Sequence, residues 1–203
     1  MIKVSVIVPV WNQESLIERA IRSVPKRDDV ELIIIDDGST DDTPAILRAI
    51  QEEDLGNFNL IVLRNQKNMG VGYTVNVGIE YASGEYMVLL GSDDYFYTDM
   101  FEEAMKKLDG TDLVYFDLKT NDGTVMRLNK KTKYGLCGST KFMRRAFVGD
   151  IRNPELRAGE DWHFFEKLQE KHPTEKFTKM VVKHYNFPRA GSLSDVYFYN
   201  GKK

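Results

Sequence analysis

Residues 30–41 read VELIIIDDGSTD, and residues 86–94 read YMVLLGSDD. In both stretches a run of mostly apolar residues stops near two adjacent aspartates. Such a continuous run predicts a strand that is buried on both faces of a parallel sheet. Because ligands of these sheets bind beyond the carboxyl ends of the strands, we expect both acidic pairs to lie at one ligand-binding edge.

The sequence around these two stretches alternates between strand and helix patterns. Apolar residues recur at helical spacing after the first predicted strand, and Pro25 ends that segment. Four β-α units in succession predict an α/β fold whose mostly parallel, Rossmann-like sheet is flanked by helices. The predicted strands are 4–10, 32–35, 59–63 and 86–90, and the predicted helices are 16–24, 41–54, 71–81 and 98–108, the last capped by Thr98.

The pattern changes after about residue 110. Short strand-like pieces at 113–116, 125–128 and 179–185 surround a predicted helix at 161–170. We therefore expect a smaller, mixed C-terminal part. Since 203 residues fit one domain, residues 1–110 and 111–203 are interpreted as two halves of a single domain.

The amino-acid composition of the chain excludes few classes of function. The formal net charge is −3, so the whole chain has no need of nucleic acid or an anionic membrane as partner. A basic stretch at 130–145 is either a solvated face or a surface for a phosphate-bearing acceptor, including nucleic acid. The single cysteine, Cys137, cannot form an intramolecular disulfide and is expected to be a small half-buried residue. No apolar stretch reaches the ~18–20 residues of a membrane span, so we expect a cytoplasmic protein, possibly peripheral at the membrane.

Three motifs have both a structural and a functional interpretation. Asp37 and its neighbours are typical of a turn that caps a helix, or of carboxylates that accept hydrogen bonds from a nucleotide. Asp93 and Asp94 are either a solvated acidic turn or ligands of a hard divalent cation. Asp161 either complements the dipole of its helix or acts as a general base. The glycines near Gly70 do not match a dinucleotide fingerprint, because Val75 stands where the third glycine is required.

A set of motifs in order resembles glycosyltransferase family 2, the inverting transferases of GT-A fold. The resemblance is dense over residues 2–108 and reappears at 135–145, 159–165 and 184–194. Its motifs are VSVIVPVWNQE, ELIIIDDGSTDDT, NMGVGYTVNVGIEYASGEYMVLLGSDDYF, GEDWHFF and SLS. It implies a hexosyltransferase-type, single-displacement transfer from a nucleoside diphosphate sugar, with Mn²⁺ or Mg²⁺ as cofactor.

Site residues follow from the resemblance, position by position. For the donor, it implies that Pro9 and Val10 frame the base pocket by backbone contacts. Asp37 would bind the base, often uracil, which makes a UDP-sugar the expected donor. Asp93 would bind the ribose or the sugar. Residues 1–110 would then be the nucleotide-sugar-binding half.

The resemblance also implies the groups that perform the reaction. Asp94 would bind the metal, Asp161 would be the catalytic base, and Arg189 would face the diphosphate. Residues 111–203 would be the acceptor-facing half, with a C-terminal loop that closes over bound donor. The acceptor is expected to be a glycan, a lipid-linked molecule or another hydroxyl compound.

Three positions depart from the family pattern, and two other function classes stay open. Gly91 replaces a frequent acid, Val75 replaces a frequent arginine, and Arg189 replaces a frequent histidine. We therefore expect Gly91 to weaken metal binding and Val75 to weaken donor binding. The alternatives are a receiver-like nucleotide- or Mg²⁺-binding module and a sugar-1-phosphate nucleotidyltransferase, although the latter needs a glycine-rich basic loop that residues 11–14 lack.

Overall fold

A computed structural model of the chain describes residues 1–53, 58–132, 138–156 and 159–189. Cys137 and the SLS motif at 192–194 lie outside the described residues. The helices are α1 (Ile17–Arg22), α2 (Thr43–Glu52), α3 (Val71–Tyr81), α4 (Thr98–Met105), α5 (Arg145–Val148) and α6 (Glu160–Glu170). The strands are β1 (Val4–Val10), β2 (Val30–Asp36), β3 (Asn59–Arg64), β4 (Tyr86–Leu89), β5 (Tyr95–Phe96), β6 (Leu113–Thr120), β7 (Val125–Met126), β8 (Lys141–Arg144) and β9 (Glu175–Tyr185).

Within the described residues, nine strands form one sheet in the order β3-β2-β1-β4-β8-β6-β9-β5, with β7 paired to β6. The first four strands in this order are parallel, as predicted, and α3 has the predicted limits. The cap predicted for α4 is wrong. Thr98 lies inside the helix, and its hydroxyl donates to the carbonyl of Ser23 at 3.1 Å instead.

The second half of the chain extends the same sheet with mixed strand directions. β8 joins β4 to β6 by antiparallel pairing on both sides, and β9 runs parallel to β6. β9 begins at Glu175, four positions before its predicted start. β5 comes directly after β4 in the chain but pairs with β9, so the two halves of the chain interleave in one sheet.

Alternate side chains of the central strands pack against helices on opposite faces of the sheet. One core contains Val6 and Ile34 together with α1, α2 and α4, and the other contains Ile7 and Ile35 together with α3 and α6. α3 lies directly on the sheet, because a Cβ on Gly78 would be 2.3 Å from Ile7 Cγ2. This close packing places the start of α3 beside the carboxyl ends of β1 and β2.

Glu31 is a buried carboxylate at the opposite, amino-terminal end of β2. It is 1% exposed. Its oxygens accept hydrogen bonds from the Ser5 hydroxyl at 2.5 Å, from the Ser83 amide at 2.6 Å and hydroxyl at 2.8 Å, and from the Gly84 amide at 3.2 Å. Glu31 therefore connects β1, β2 and the turn before β4, and it lies away from the acidic edge.

We predict that Glu31→Gln destabilises the protein without unfolding it. A glutamine has one acceptor oxygen and turns an NH₂ group toward donors, which leaves buried donors unsatisfied at about 1–3 kcal/mol each. Calorimetric or urea unfolding measures the loss. The matched control is Glu85→Gln, since Glu85 is exposed and pairs only at the surface with Lys3. An equal loss in both variants would contradict the structural role of Glu31.

Candidate active site at the carboxyl edge of the sheet

The loops that follow β1 and β2 are held together by hydrogen bonds. The Asp37 amide donates to the carbonyl of Val10 at 2.8 Å, and the Thr40 amide donates to the side-chain oxygen of Asn12 at 2.8 Å. Val10 is buried, and Pro9 just before it is half-buried. The two residues predicted to frame a base pocket thus lie directly beside the first acidic loop.

Both carboxylate oxygens of Asp37 accept hydrogen bonds from the loop before α3. Oδ1 accepts from the Met69 amide and from Asn65 Nδ2, both at 2.8 Å, and Oδ2 accepts from the Gly70 amide at 2.9 Å. Asp37 itself is 3% exposed. It therefore fixes the loop 65–70 against β2. A contact between Asp37 and a nucleotide base stays a prediction. In that contact the base would have to bond to carboxylate oxygens that already accept hydrogen bonds from the loop.

The neighbouring aspartate, Asp36, stabilises the turn. Its Oδ1 accepts from the Ser39 amide at 2.9 Å, and its buried Oδ2 lies 3.0 Å from Arg64 Nη1. That second contact is an ion pair without hydrogen-bond geometry, because Arg64 directs Nη2 to the carbonyl of Ser39 at 2.9 Å. Asp36 is thus a structural residue of this edge.

Asp94, in the turn after β4, forms a buried ion pair with Lys183 of β9. Its Oδ2 accepts from the Lys183 ammonium at 2.7 Å, and its Oδ1 accepts from the Asn186 amide at 2.9 Å. Asp94 and Lys183 are 2% and 1% exposed. The ammonium also donates to the hydroxyl of Ser139. Both charges are therefore neutralised in the interior, as buried charges require.

Asp93 lies beside this pair and contacts two arginines. Arg189 places Nε and Nη2 at 3.1 and 2.9 Å from Asp93 Oδ2, and Arg19 of α1 donates to the Asp93 carbonyl at 2.7 Å. Burial raises the pKa of the Asp93 carboxyl, the charge on Asp94 adds to the rise, and Arg189 opposes it. Lys183, Arg19 and Arg189 bring three positive charges beside the two carboxylates of Asp93 and Asp94, so these five groups together carry a net positive charge.

An aromatic stack holds Arg19 in place. Its guanidinium lies over the Tyr95 ring at 4.8 Å, and His184 stacks on the same ring at 4.5 Å with an interplanar angle of 10°. His184 Nε2 is 2.8 Å from the side-chain oxygen of Asn121. Burial, and then the charge of Arg19, lower the pKa of the His184 imidazole. The ring is therefore neutral at neutral pH and adds no charge to the cluster.

Asp161 lies in the first turn of α6. The helix follows Gly159, whose φ is 79°, and the Trp162 amide donates to Asp161 Oδ1 at 2.8 Å. Asp161 Oδ2 lies 2.9 Å from the position that a Cβ on Gly138 would occupy. The backbone at Gly138 therefore lies close to this half-buried carboxylate.

Glu160 is turned toward α3 instead. Its Cγ lies 3.2 Å from the position of a Cβ on Gly72. Burial raises the pKa of the Glu160 carboxyl, and the charge on Asp161 adds to the rise. Asn76 of α3 bonds in both directions with the backbone of Asn153, at 2.8 and 2.9 Å, and so fixes the segment that leads to α6.

Two adjacent residues connect the parts of the site. Gly138 lies against Asp161, and Ser139 accepts from Lys183, which pairs with Asp94. The predicted base and the predicted metal ligand are therefore linked through Gly138, Ser139 and Lys183. The structure also brings Asp93 and Arg189 to this place, while the contacts of Asp37 are with the loop before α3.

The sequence analysis missed Arg19, Lys183, Ser139 and the stacked pair Tyr95 and His184. Lys183 does leave a signal, because it follows the apolar residues Val181 and Val182 in a predicted strand, and lysine is almost never fully buried unless paired. Arg19 has no comparable local signal. Val75, one of the positions that depart from the family pattern, is buried in the core. It does not face the site.

The residues predicted to bind a divalent metal do not fit that role in the described structure. Both oxygens of Asp94 already accept hydrogen bonds, and the Lys183 ammonium stands where a cation would have to approach to the ~2.0–2.6 Å of a metal–oxygen bond. Arg189 contacts Oδ2 of Asp93. Across the described ranges, no group of three or more His, Cys, Asp or Glu could hold a metal ion.

Comparison with known proteins identifies the family of this chain. A family model described as Glycosyl transferase family 2 matches residues 5–167, which include β1 to β8 and most of α6. The chain belongs to this family. This membership favours a glycosyltransferase over a receiver-like module and over a sugar-1-phosphate nucleotidyltransferase.

The relatives of this glycosyltransferase confirm the GT-A fold. The poly(ribitol-phosphate) beta-N-acetylglucosaminyltransferase TarS of Staphylococcus aureus is 32% identical over 187 residues, which are 81% of this chain and 32% of that protein. The crystal structure of its residues 1–349 with UDP-GlcNAc matches with a TM-score of 0.79 at 27% identity, over 94% of this chain and 60% of that one.

Two further proteins extend the comparison. The Campylobacter jejuni GalNAc(5)-diNAcBac-PP-undecaprenol beta-1,3-glucosyltransferase is 36% identical over 109 residues, 53% of this chain and 35% of that protein. A Pyrobaculum calidifontis mannosyltransferase, solved with GDP-Man and Mn²⁺, shares the fold at a TM-score of 0.72 and 22% identity, over 93% and 58% of the two chains. The glycosyltransferase chain thus spans about a third of the curated relatives named here. No helix within the described ranges is long and apolar enough to cross a membrane.

We predict that Asp37→Asn lowers the free energy of unfolding of the nucleotide-free protein by about 1–3 kcal/mol, because the NH₂ group of a buried asparagine would face the Met69 or the Gly70 amide donor. Urea unfolding without nucleotide measures the loss. Asp42→Asn is the control, since Asp42 is exposed at the start of α2 and makes no side-chain cap bond. Unchanged stability with weakened UDP binding would instead indicate that Asp37 acts by touching the base.

Proposed function

We propose that this chain transfers a sugar from a nucleoside diphosphate sugar, UDP-linked in the first instance, to an acceptor hydroxyl with inversion at the anomeric carbon. The observation that carries the proposal is the juxtaposition, across Gly138 and Ser139, of a net positive cluster and the half-buried Asp161. A diphosphate leaving group needs the positive cluster to stabilise its charge. A hydroxyl nucleophile needs the carboxylate of Asp161 to accept its proton. The UDP-GlcNAc complex of TarS supports a UDP-linked donor.

Arg189 and Arg19 supply the charge that the leaving group requires. When the bond between the anomeric carbon and the diphosphate oxygen breaks, negative charge grows on the departing phosphate. Guanidinium groups bind phosphate oxygens through two parallel N–H donors, and preorganised cations stabilise such charge effectively. Arg189 has a 30% exposed side chain, and Arg19 is exposed, so both are accessible to a ligand. No step of this mechanism runs through a metal ion, because the donor set does not fit one.

Asp161 is the general base of the proposed reaction. It takes the proton of the acceptor hydroxyl as that oxygen attacks the anomeric carbon on the face opposite the nucleoside diphosphate. Its position at the start of α6, fixed by the Trp162 amide, holds the carboxylate ready for this role. Glu160 is the alternative base, but its side chain lies along α3, against Gly72.

The acceptor is proposed to be a carbohydrate or polyol hydroxyl. Trp162 is adjacent to Asp161 and is 40% exposed, and Trp11, just after β1, is 50% exposed. Large aromatic rings with an apolar face and a polar N–H suit the stacked recognition of sugar rings. The relatives' names point to polymer-linked and lipid-linked acceptors, and the choice between these depends on parts of the acceptor beyond the reacting hydroxyl.

We predict that Asp161→Asn reduces turnover by about 10²–10⁴-fold, the usual contribution of a general base, while UDP affinity changes little. A donor-hydrolysis screen over UDP-, GDP- and dTDP-sugars first finds the substrate, and released nucleotide then gives kcat. Glu166→Gln is the control, because Glu166 is exposed on the same helix and pairs with His163. If Asp161→Asn keeps more than about a tenth of wild-type kcat, a barrier change under ~1.4 kcal/mol, Glu160 becomes the candidate base.

A further inference from the structure

We infer that this chain binds the diphosphate of its donor without a divalent cation, because Lys183 permanently holds the place at Asp94 where the family resemblance predicts a metal. The inference rests on the proposed function and adds the source of the positive charge. In a site built on two aspartates, the pair alone would repel a diphosphate, and a metal ion normally reverses that repulsion. In this protein, positively charged side chains overcome that repulsion in place of a metal ion.

The Lys183 ammonium is held by the fold and not by a flexible surface contact. It donates to Asp94 and Ser139 and lies over the Tyr185 ring at 5.5 Å from the centroid. Its backbone is paired on both sides, with Leu118 of β6 in one direction and Phe96 of β5 in the other. Because the Lys183 side chain is 1% exposed, close packing around it restricts the rotamers that the ammonium can adopt.

A divalent ion at Asp94 would therefore have to lie beside an ammonium group. Like charges at such separations repel strongly in a buried site, where solvent screens them little. An ion at Asp94 would have to share the carboxylate with the Asn186 amide and the Lys183 ammonium. Displacing the ammonium would leave a buried cation without its carboxylate, which is unfavourable.

The diphosphate itself meets the two arginines. Lys183 is 1% exposed and reaches no ligand directly, so it is a positioning residue that cancels the charge of Asp94. Arg189 is partly exposed, and its five N–H donors allow it to bind phosphate oxygens while it keeps its contact with Asp93. Arg19 is held at the same place by Tyr95 and the Asp93 carbonyl. Together they provide the phosphate-binding charge.

Calorimetric titration of the wild-type protein with UDP tests the inference, once in excess EDTA and once each with Mn²⁺ and Mg²⁺. We expect the Kd to change by less than about threefold between these conditions, because no metal-linked contact is gained. We also expect Mn²⁺ alone to give no bound fraction in an EPR titration. A UDP affinity that Mn²⁺ strengthens about tenfold or more, and that EDTA abolishes, would overturn the inference.

Two variants sharpen the test. Lys183→Met frees Asp94 and should weaken UDP binding in EDTA by about tenfold or more, with Mn²⁺ restoring part of the loss. Lys179→Met is the matched control, an exposed lysine on the same strand that should change the Kd less than about twofold.

If Lys183→Met does not fold, the double variant Lys183→Met with Asp94→Asn removes both buried charges. It should bind UDP in EDTA within about threefold of wild type, since the net charge of the cluster is unchanged; a loss beyond about tenfold contradicts the inference.

The two proposals fail in distinguishable ways. Binding of UDP that requires Mn²⁺ contradicts only the metal-free site and leaves a nucleotide-sugar transferase intact. Absence of binding to UDP, GDP and dTDP with and without metal contradicts the proposed function itself, and the inference falls with it.

Discussion

The buried ion pair between Lys183 and Asp94 is the contact on which the carboxyl edge of the sheet depends. It joins the turn after β4 to β9 across 89 positions of sequence, and through Ser139 it fixes the backbone that lies against Asp161. Removing one partner of a buried pair costs about 3–5 kcal/mol, a large part of the 5–15 kcal/mol that stabilises a typical domain. The same pair thus serves both the stability of the sheet and the charge of the site.

The first half of the fold could be predicted because its signals are local. β1, β2 and α3 each carry an apolar pattern long enough to identify, and α3 has the predicted limits. β5 has two residues and β8 reads KFMR, so neither shows a strand pattern of its own. Both are strands because neighbouring strands supply their hydrogen-bond partners. Their place in the sheet is therefore a property of the tertiary structure.

The candidate site likewise has residues that the sequence predicts and residues that only the tertiary structure reveals. The aspartates could be located from sequence, since each follows a strand or begins a helix, and the family resemblance added their expected roles. The resemblance also predicted Arg189 at the site, but the contacts of Arg19 and Arg189 with Asp93 could not be predicted, because the two arginines lie 74 and 96 positions from it. The expected metal at Asp94 came from the two adjacent aspartates and from the family pattern. Lys183 changes that expectation, and only the position of β9 beside β5 and β6 reveals it.

The interior position of β9 also has a consequence for the order in which the protein is made. The four parallel strands lie within the first 89 residues, whereas β9, which lies between β6 and β5, is synthesised after all of them. A nascent chain that still lacks β9 and the residues after it has Asp93 and Asp94 without the Lys183 ammonium and the Arg189 guanidinium that offset their charge. The charge balance of this edge is therefore complete only when the last strand of the described chain has been made.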